Sequence, residues 1–87
     1  MTMPQPSVLL IENDQQLAQT VSLDLTNAGY TVTVANHPDQ AKPQFKELQP
    51  ALVVIDQARL GEAGLALCRQ LRGHNNPVLI LLFMSQD

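Results

Sequence analysis

An 87-residue chain has room for one domain and one core, with little stability to spare. Eight acidic residues against five basic ones give a net charge of −3, and the basic residues form no dense run, which excludes an electrostatic nucleic-acid surface on this segment. A single cysteine excludes an internal disulfide; with no signal-like N-terminus and no bilayer-length apolar run, the expectation is a cytoplasmic protein outside the membrane.

Aromatics make up 3% of the chain, so Leu, Val and Ile must build the core. The first aliphatic run, Val8-Leu9-Leu10-Ile11, reads as a buried strand and ends in Glu12-Asn13-Asp14. Leu17, Val21, Leu25 and Ala28 then recur at helical spacing. Asn13 or Asp14 is the expected N-cap, the weight falling on Asp14, and Gly29 is the natural stop. Residues 31–34 are short and β-branched and fit a strand near a sheet edge.

The next helix has Pro38 in its first turn and Phe45 and Leu48 on its apolar face. Pro43 falls inside it, where the ring removes a donor and crowds the carbonyl of Asp39. A kink there, or a helix that begins only at Pro43, is expected. A second buried strand, Leu52-Val53-Val54-Ile55, surfaces at Asp56 and leads into a loop holding Gly61 and Gly64. From Gly64 to Arg72, Leu65, Leu67, Cys68 and Leu71 form an apolar stripe stopped by Gly73, with Cys68 as a core residue. Residues 78–84 are a last apolar strand. Strands alternating with helices through short loops predict an α/β domain with a parallel sheet and helices on both faces, about four strands and three helices in all.

In such sheets the site lies at the carboxyl ends of the strands, and Glu12, Asp56 and Ser85 all fall there. Two strand ends that each carry acids suggest one site built from both, as a Mg²⁺-dependent phosphoryl acceptor would need. His37 and His74 sit in unrelated loops and read as neither phosphohistidine nor metal ligand. No GxGxxG, P-loop, zinc spacing or Ser-His-Asp pattern is present, so a small nucleotide binder lacks its phosphate-cradling loop.

Taken together, these segments resemble the receiver domain of two-component response regulators. The stretch from Val8 through Glu12-Asn13-Asp14 is similar to that family's opening strand and acidic pair. Leu52 to Asp56 is similar to its phospho-acceptor strand, Gly61 to Arg72 to the following loop and helix of OmpR/PhoB-type regulators, and Phe83-Met84-Ser85 to the end of its fourth strand. The resemblance implies a flavodoxin-like (CheY-like) sheet, incomplete here: residues 1–87 correspond to the N-terminal portion, without the fourth helix, fifth strand and fifth helix. It implies a signalling module rather than an enzyme, partnered by a sensor histidine kinase or other signalling protein. A DNA-binding output domain would lie outside this segment. Asp56 would be the phospho-acceptor and Ser85 the switch hydroxyl. Glu12, Asn13, Asp56 and the Ala58 backbone carbonyl would be the Mg²⁺ ligands.

The chain departs from the family at several of these positions. Asn13 replaces the second acid and brings an amide oxygen without charge. Leu60 stands in place of a common Pro and Ala63 in place of a frequent Asp. Gln57-Ala58-Arg59 replaces a mostly apolar run, with Arg59 read as a solvated loop charge; the alternatives for it are to screen a phosphoryl group or, in the absence of one, to pair with Asp56. The family's fifth-strand Lys has no counterpart. Phosphorylation at Asp56 and Mg²⁺ binding are therefore expected to be weak or absent, and the alternative is a phosphorylation-independent pseudo-receiver acting as a protein-interaction module. Self-association is expected through the exposed, Pro-free apolar strand at residues 78–84.

Overall fold

Aliphatic runs too short to form helices become strands here, and the capped amphipathic stretches between them become helices. The computed structural model describes residues 5–73 and 77–84. In chain order the elements are β1 (Ser7–Ile11), α1 (Gln15–Asn27), β2 (Thr31–Ala35), α2 (Pro38–Leu48), β3 (Leu52–Asp56), α3 (Gln57–Leu60), α4 (Glu62–Arg72) and β4 (Leu79–Phe83). The four strands form one parallel sheet in the order β2-β1-β3-β4.

The central pair, β1 and β3, is buried on both faces, which is why each reads as a continuous apolar run rather than an alternating one. The pleat still divides their side chains by parity. Leu9, Ile11, Val53 and Ile55 pack with Ala41 of α2 and with Leu67 and Leu71 of α4. Val8, Leu10 and Val54 face the other way, against Ala18, Val21 and Leu25 of α1. Cys68, expected in the core, is partly buried and packs at the margin of the first cluster. The β-branched strand β2 is an edge, and β4 is the other edge among the described residues. On β4, Leu79 is 58% exposed and Leu81 50%.

The helix ends follow from named residues. Asp14 caps α1, its Oδ1 accepting the N–H groups of Gln16 and Leu17 at 3.0 and 3.1 Å. Gly29, at φ 101°, closes the same helix: its N–H reaches Thr26 O at 3.0 Å and the Tyr30 N–H reaches Leu25 O at 3.1 Å, the paired bonds of a Schellman end.

Two expectations need correction. Helix α2 does not begin only at Pro43; it starts at Pro38 and is one continuous helix through Pro43. Pro38 supplies a preset φ in the first turn, and Ala41 and Phe45, on either side of the exposed Pro43, hold the segment against the sheet. Packing outweighs one lost backbone bond. Among the described residues there are also four helices rather than three, because the stretch after Asp56 is not an open loop. It forms the short α3, and α4 begins at Glu62, two residues before Gly64. Gly61 joins the two at φ 57° and ψ −133°, a backbone state that a side chain disfavours.

Candidate functional site

The register of the sheet builds the site. Ile11 lies opposite Ile55 in the parallel β1–β3 pair, so Glu12 and Asp56 emerge side by side at the carboxyl edge. Both are buried: Glu12 is 0% exposed and Asp56 2%. The Glu12 backbone N–H donates to Ala35 O at 3.0 Å, which extends the strand pairing and fixes where its side chain starts. Its Oε2 accepts the Asp14 N–H at 3.2 Å, while Oε1 is buried without a donor.

A buried carboxylate oxygen with no donor is costly, and protonation removes the cost. The Glu12 pKa is accordingly pushed up to about 7, first by burial and then by its hydrogen bond to Asp56, with the charge on Asp56 adding to the effect. The Asp14 amide and the Arg59 guanidinium oppose it. A proton on Glu12 supplies the missing donor between two acids that cannot comfortably both be charged. The two acids behave as one site.

Asp56 has structural partners as well. Its Oδ1 accepts the Arg59 N–H at 3.2 Å and so caps α3, and its Oδ2 lies 3.9 Å from Arg59 Nε. The other end of the same guanidinium is 2.9 Å from Asp14 Oδ2. Arg59 is therefore more than the solvated loop charge expected from the sequence: half-exposed, it pairs with Asp14 and with Asp56, the pairing with Asp56 being the alternative reading of that residue. The turn that Asp56 caps carries its side chain back over the strand ends. Asp14 caps α1 as expected, but with one oxygen only, and turns the other toward Arg59.

The remaining expected residues are dispersed. Asn13 is exposed. Ala58 lies in α3 and helps to line a small cavity of about 330 Å³ with Leu17, Asp56, Arg59, Phe83 and Met84. Phe83 stands opposite Asp56 in the β3–β4 register. Ser85 and His74 lie outside the described residues. A larger cavity of about 880 Å³, between Phe45, Pro50, Leu71 and Val78, opens at the amino ends of β3 and β4, away from the acids.

The Mg²⁺ implied by the resemblance needs several free, hard oxygen donors converging on one point. Here Asp56 Oδ1 is engaged by a backbone N–H, both aspartates face Arg59, and Glu12 tends toward its neutral form. Among the described residues no group of three or more His, Cys, Asp or Glu side chains is placed to hold a metal ion. With Arg59 set between the two aspartates, these residues do not fit Mg²⁺.

Sequence reading passed over Gln57. It is buried beside Asp56, and its Nε2 donates to Gly61 O at 2.7 Å, bracing the turn between α3 and α4. The signal lay in Gly64: a Cβ there would meet Gln57 Oε1 at 2.8 Å and Ile55 Cγ2 at 3.2 Å, so this glycine marks a close approach.

Comparison with known proteins gives a consistent result. The response regulator receiver domain family matches residues 8–87. The chain is 30% identical over 77 residues to the transcriptional regulatory protein BaeR of Escherichia coli, covering 88% of this chain and 32% of that protein. It is 33% identical over 82 residues to the transcriptional regulatory protein AfsQ1 of Streptomyces coelicolor, covering 94% and 36%. The chain thus spans about a third of the length of these curated relatives. Among solved structures, the non-phosphorylated HemR receiver domain from Leptospira biflexa superposes with a TM-score of 0.82 at 26% identity, covering 94% of this chain and 66% of that one. Family, relatives and the parallel sheet with its flanking helices agree: the chain belongs to the response regulator receiver domain family.

Proposed function

We propose that this chain is the signal-input module of a two-component response regulator that controls transcription, and that Asp56 is its phosphoryl-acceptor position. The observation that carries the reading is the buried Glu12–Asp56 pair at adjacent strand ends of the central sheet. A carboxylate oxygen of Asp56 attacks the phosphorus of a phosphohistidine or small phosphodonor. The bond from phosphorus to the donor nitrogen or oxygen breaks, and an acyl phosphate forms. Ser85 is the switch hydroxyl in this reading, the partner is a sensor histidine kinase, and a DNA-binding output domain carries the response. No helix among the described residues is long and apolar enough to cross a membrane. Action in the cytoplasm belongs to the same proposal.

The reaction is expected to be slow and of low yield. Asp56 is held by the Arg59 N–H and guanidinium, and Asn13 contributes no charge to the site. Those two features favour a second reading, a phosphorylation-independent interaction module. Incubation with phosphoramidate and Mg²⁺, followed by intact-mass measurement of the protein and of Asp56→Ala, separates them. A phosphoryl adduct lost in Asp56→Ala supports the acceptor. No adduct, with normal cellular activity of Asp56→Ala, supports the interaction module.

Self-association is the remaining part of the proposal. On β4, Leu79 and Leu81 on one face of the sheet and Leu82 on the other are exposed, as is Met84 just beyond the strand. A second copy pairing there would cover both the apolar side chains and the strand edge. Sedimentation giving only a well-folded monomer at high concentration would remove it.

A further inference from the structure

The charge that the acids at the strand ends need is already present on the chain. Arg59 reaches two acids that belong to different elements, Asp14 at the start of α1 and Asp56 at the end of β3. The Asp56 cap on the Arg59 N–H fixes the root of that side chain next to its own target. The forked guanidinium then spans both carboxylates, which a point-charge ammonium could not do. We infer that Arg59 is a built-in counter-cation that takes the place of a divalent metal at Asp56, so that Arg59 and a metal ion are alternatives at this site. The inference rests on the reading of Asp56 as the centre of the site.

Two observations make this a competition rather than a permanent lock. The Arg59 side chain is 52% exposed, and exposed ion pairs are weak and screened by salt. The cavity of about 330 Å³ beside it, lined by Asp56 and Ala58, leaves volume next to the carboxylate into which the guanidinium or a hydrated ion can move. A divalent ion drawn to the Asp56 carboxylate is repelled by a guanidinium a few ångströms away. Binding is therefore expected to push Arg59 aside, and removing the Arg59 charge to ease binding.

The test is a Mg²⁺ titration of the ¹⁵N-labelled protein and of Arg59→Gln, followed by NMR. Arg59→Gln is expected to bind Mg²⁺ about tenfold more tightly than the unmodified protein. In the unmodified protein, the Arg59 Nε–H resonance, identified by its loss in the variant, is expected to shift as the amides of residues 12–14 and 56–59 shift. Adding Asp56→Asn to Arg59→Gln is expected to abolish the gain. Equal or weaker binding by Arg59→Gln, an unmoved Arg59 Nε–H at saturation, or a gain that survives Asp56→Asn would each overturn the inference. The amide spectrum reports folding of each variant in the same experiment. Phosphorylation is read separately: tighter Mg²⁺ binding without an adduct leaves Arg59 as counter-cation and removes the acceptor reading, while an adduct with unchanged Mg²⁺ affinity does the reverse.

Discussion

Replacing Glu12 with Gln should stabilise the protein at pH 8 and leave it unchanged near pH 4.5. In the folded state Glu12 titrates at about 7 against an ordinary value of 4.5. At about 1.4 kcal/mol per pH unit, that difference is worth about 3 kcal/mol. The sign follows from proton binding. Between pH 4.5 and 7 the folded protein keeps a proton on Glu12 that the unfolded chain has lost, so raising the pH through this window favours unfolding. Below it both states are protonated, and above it both are ionised, so the slope ends. Gln holds the neutral geometry at every pH: its oxygen accepts the Asp14 N–H and its amide can donate to Asp56. Urea denaturation followed by circular dichroism at pH 5, 6, 7 and 8 gives the difference directly. The expected gain grows from just under 1 to about 3 kcal/mol across the series. A gain independent of pH, or Glu12→Gln less stable than the unmodified protein at pH 8, would refute the account of a buried, protonated Glu12.

Other substitutions test the surrounding frame. Gly64→Ala should destabilise by about 1–3 kcal/mol in the same assay, since its Cβ must displace Gln57 Oε1 and press on Ile55 and Leu60; an unchanged midpoint would show that the turn has slack. Pro43→Ala should stabilise by about 1–2 kcal/mol, the restored helix bond outweighing the looser unfolded chain, and helicity by circular dichroism should not fall. Asp14→Ala should cost about 1 kcal/mol through loss of the α1 cap. Its effect should combine non-additively with Arg59→Gln in a double-mutant cycle, because the two side chains touch.

Most of the frame was legible from residues alone. Continuous aliphatic runs announced the two central strands, the β-branched run announced an edge, and Asp14 and Gly29 marked both ends of α1. The placement of Glu12 and Asp56 at strand carboxyl ends followed from the α/β pattern; the register makes those two strands neighbours. What stayed hidden depends on contacts distant in sequence or on burial. Helix α3 forms because the Asp56 carboxylate caps it, which looks from the sequence like an acid entering a glycine-containing loop. The Arg59–Asp14 bridge joins residues far apart along the chain, so local spacing gave no hint of it. The proton on Glu12 follows from complete burial beside a second acid, and an Asn13 neighbour in the sequence does not announce it. Helix α2 tolerates Pro43 because packing on both sides of the proline, which propensity does not count, holds it in place.

The central claim is that the signal enters at Asp56, and the residue carrying the phosphoryl group tests it most directly. After phosphoramidate treatment, borohydride reduction converts an aspartyl phosphate to homoserine, which tandem mass spectrometry locates in the sequence. The account predicts homoserine at position 56, at low yield and rising in Arg59→Gln. Homoserine at another acid, or none at any donor concentration in a protein whose signalling survives Asp56→Ala, would contradict it.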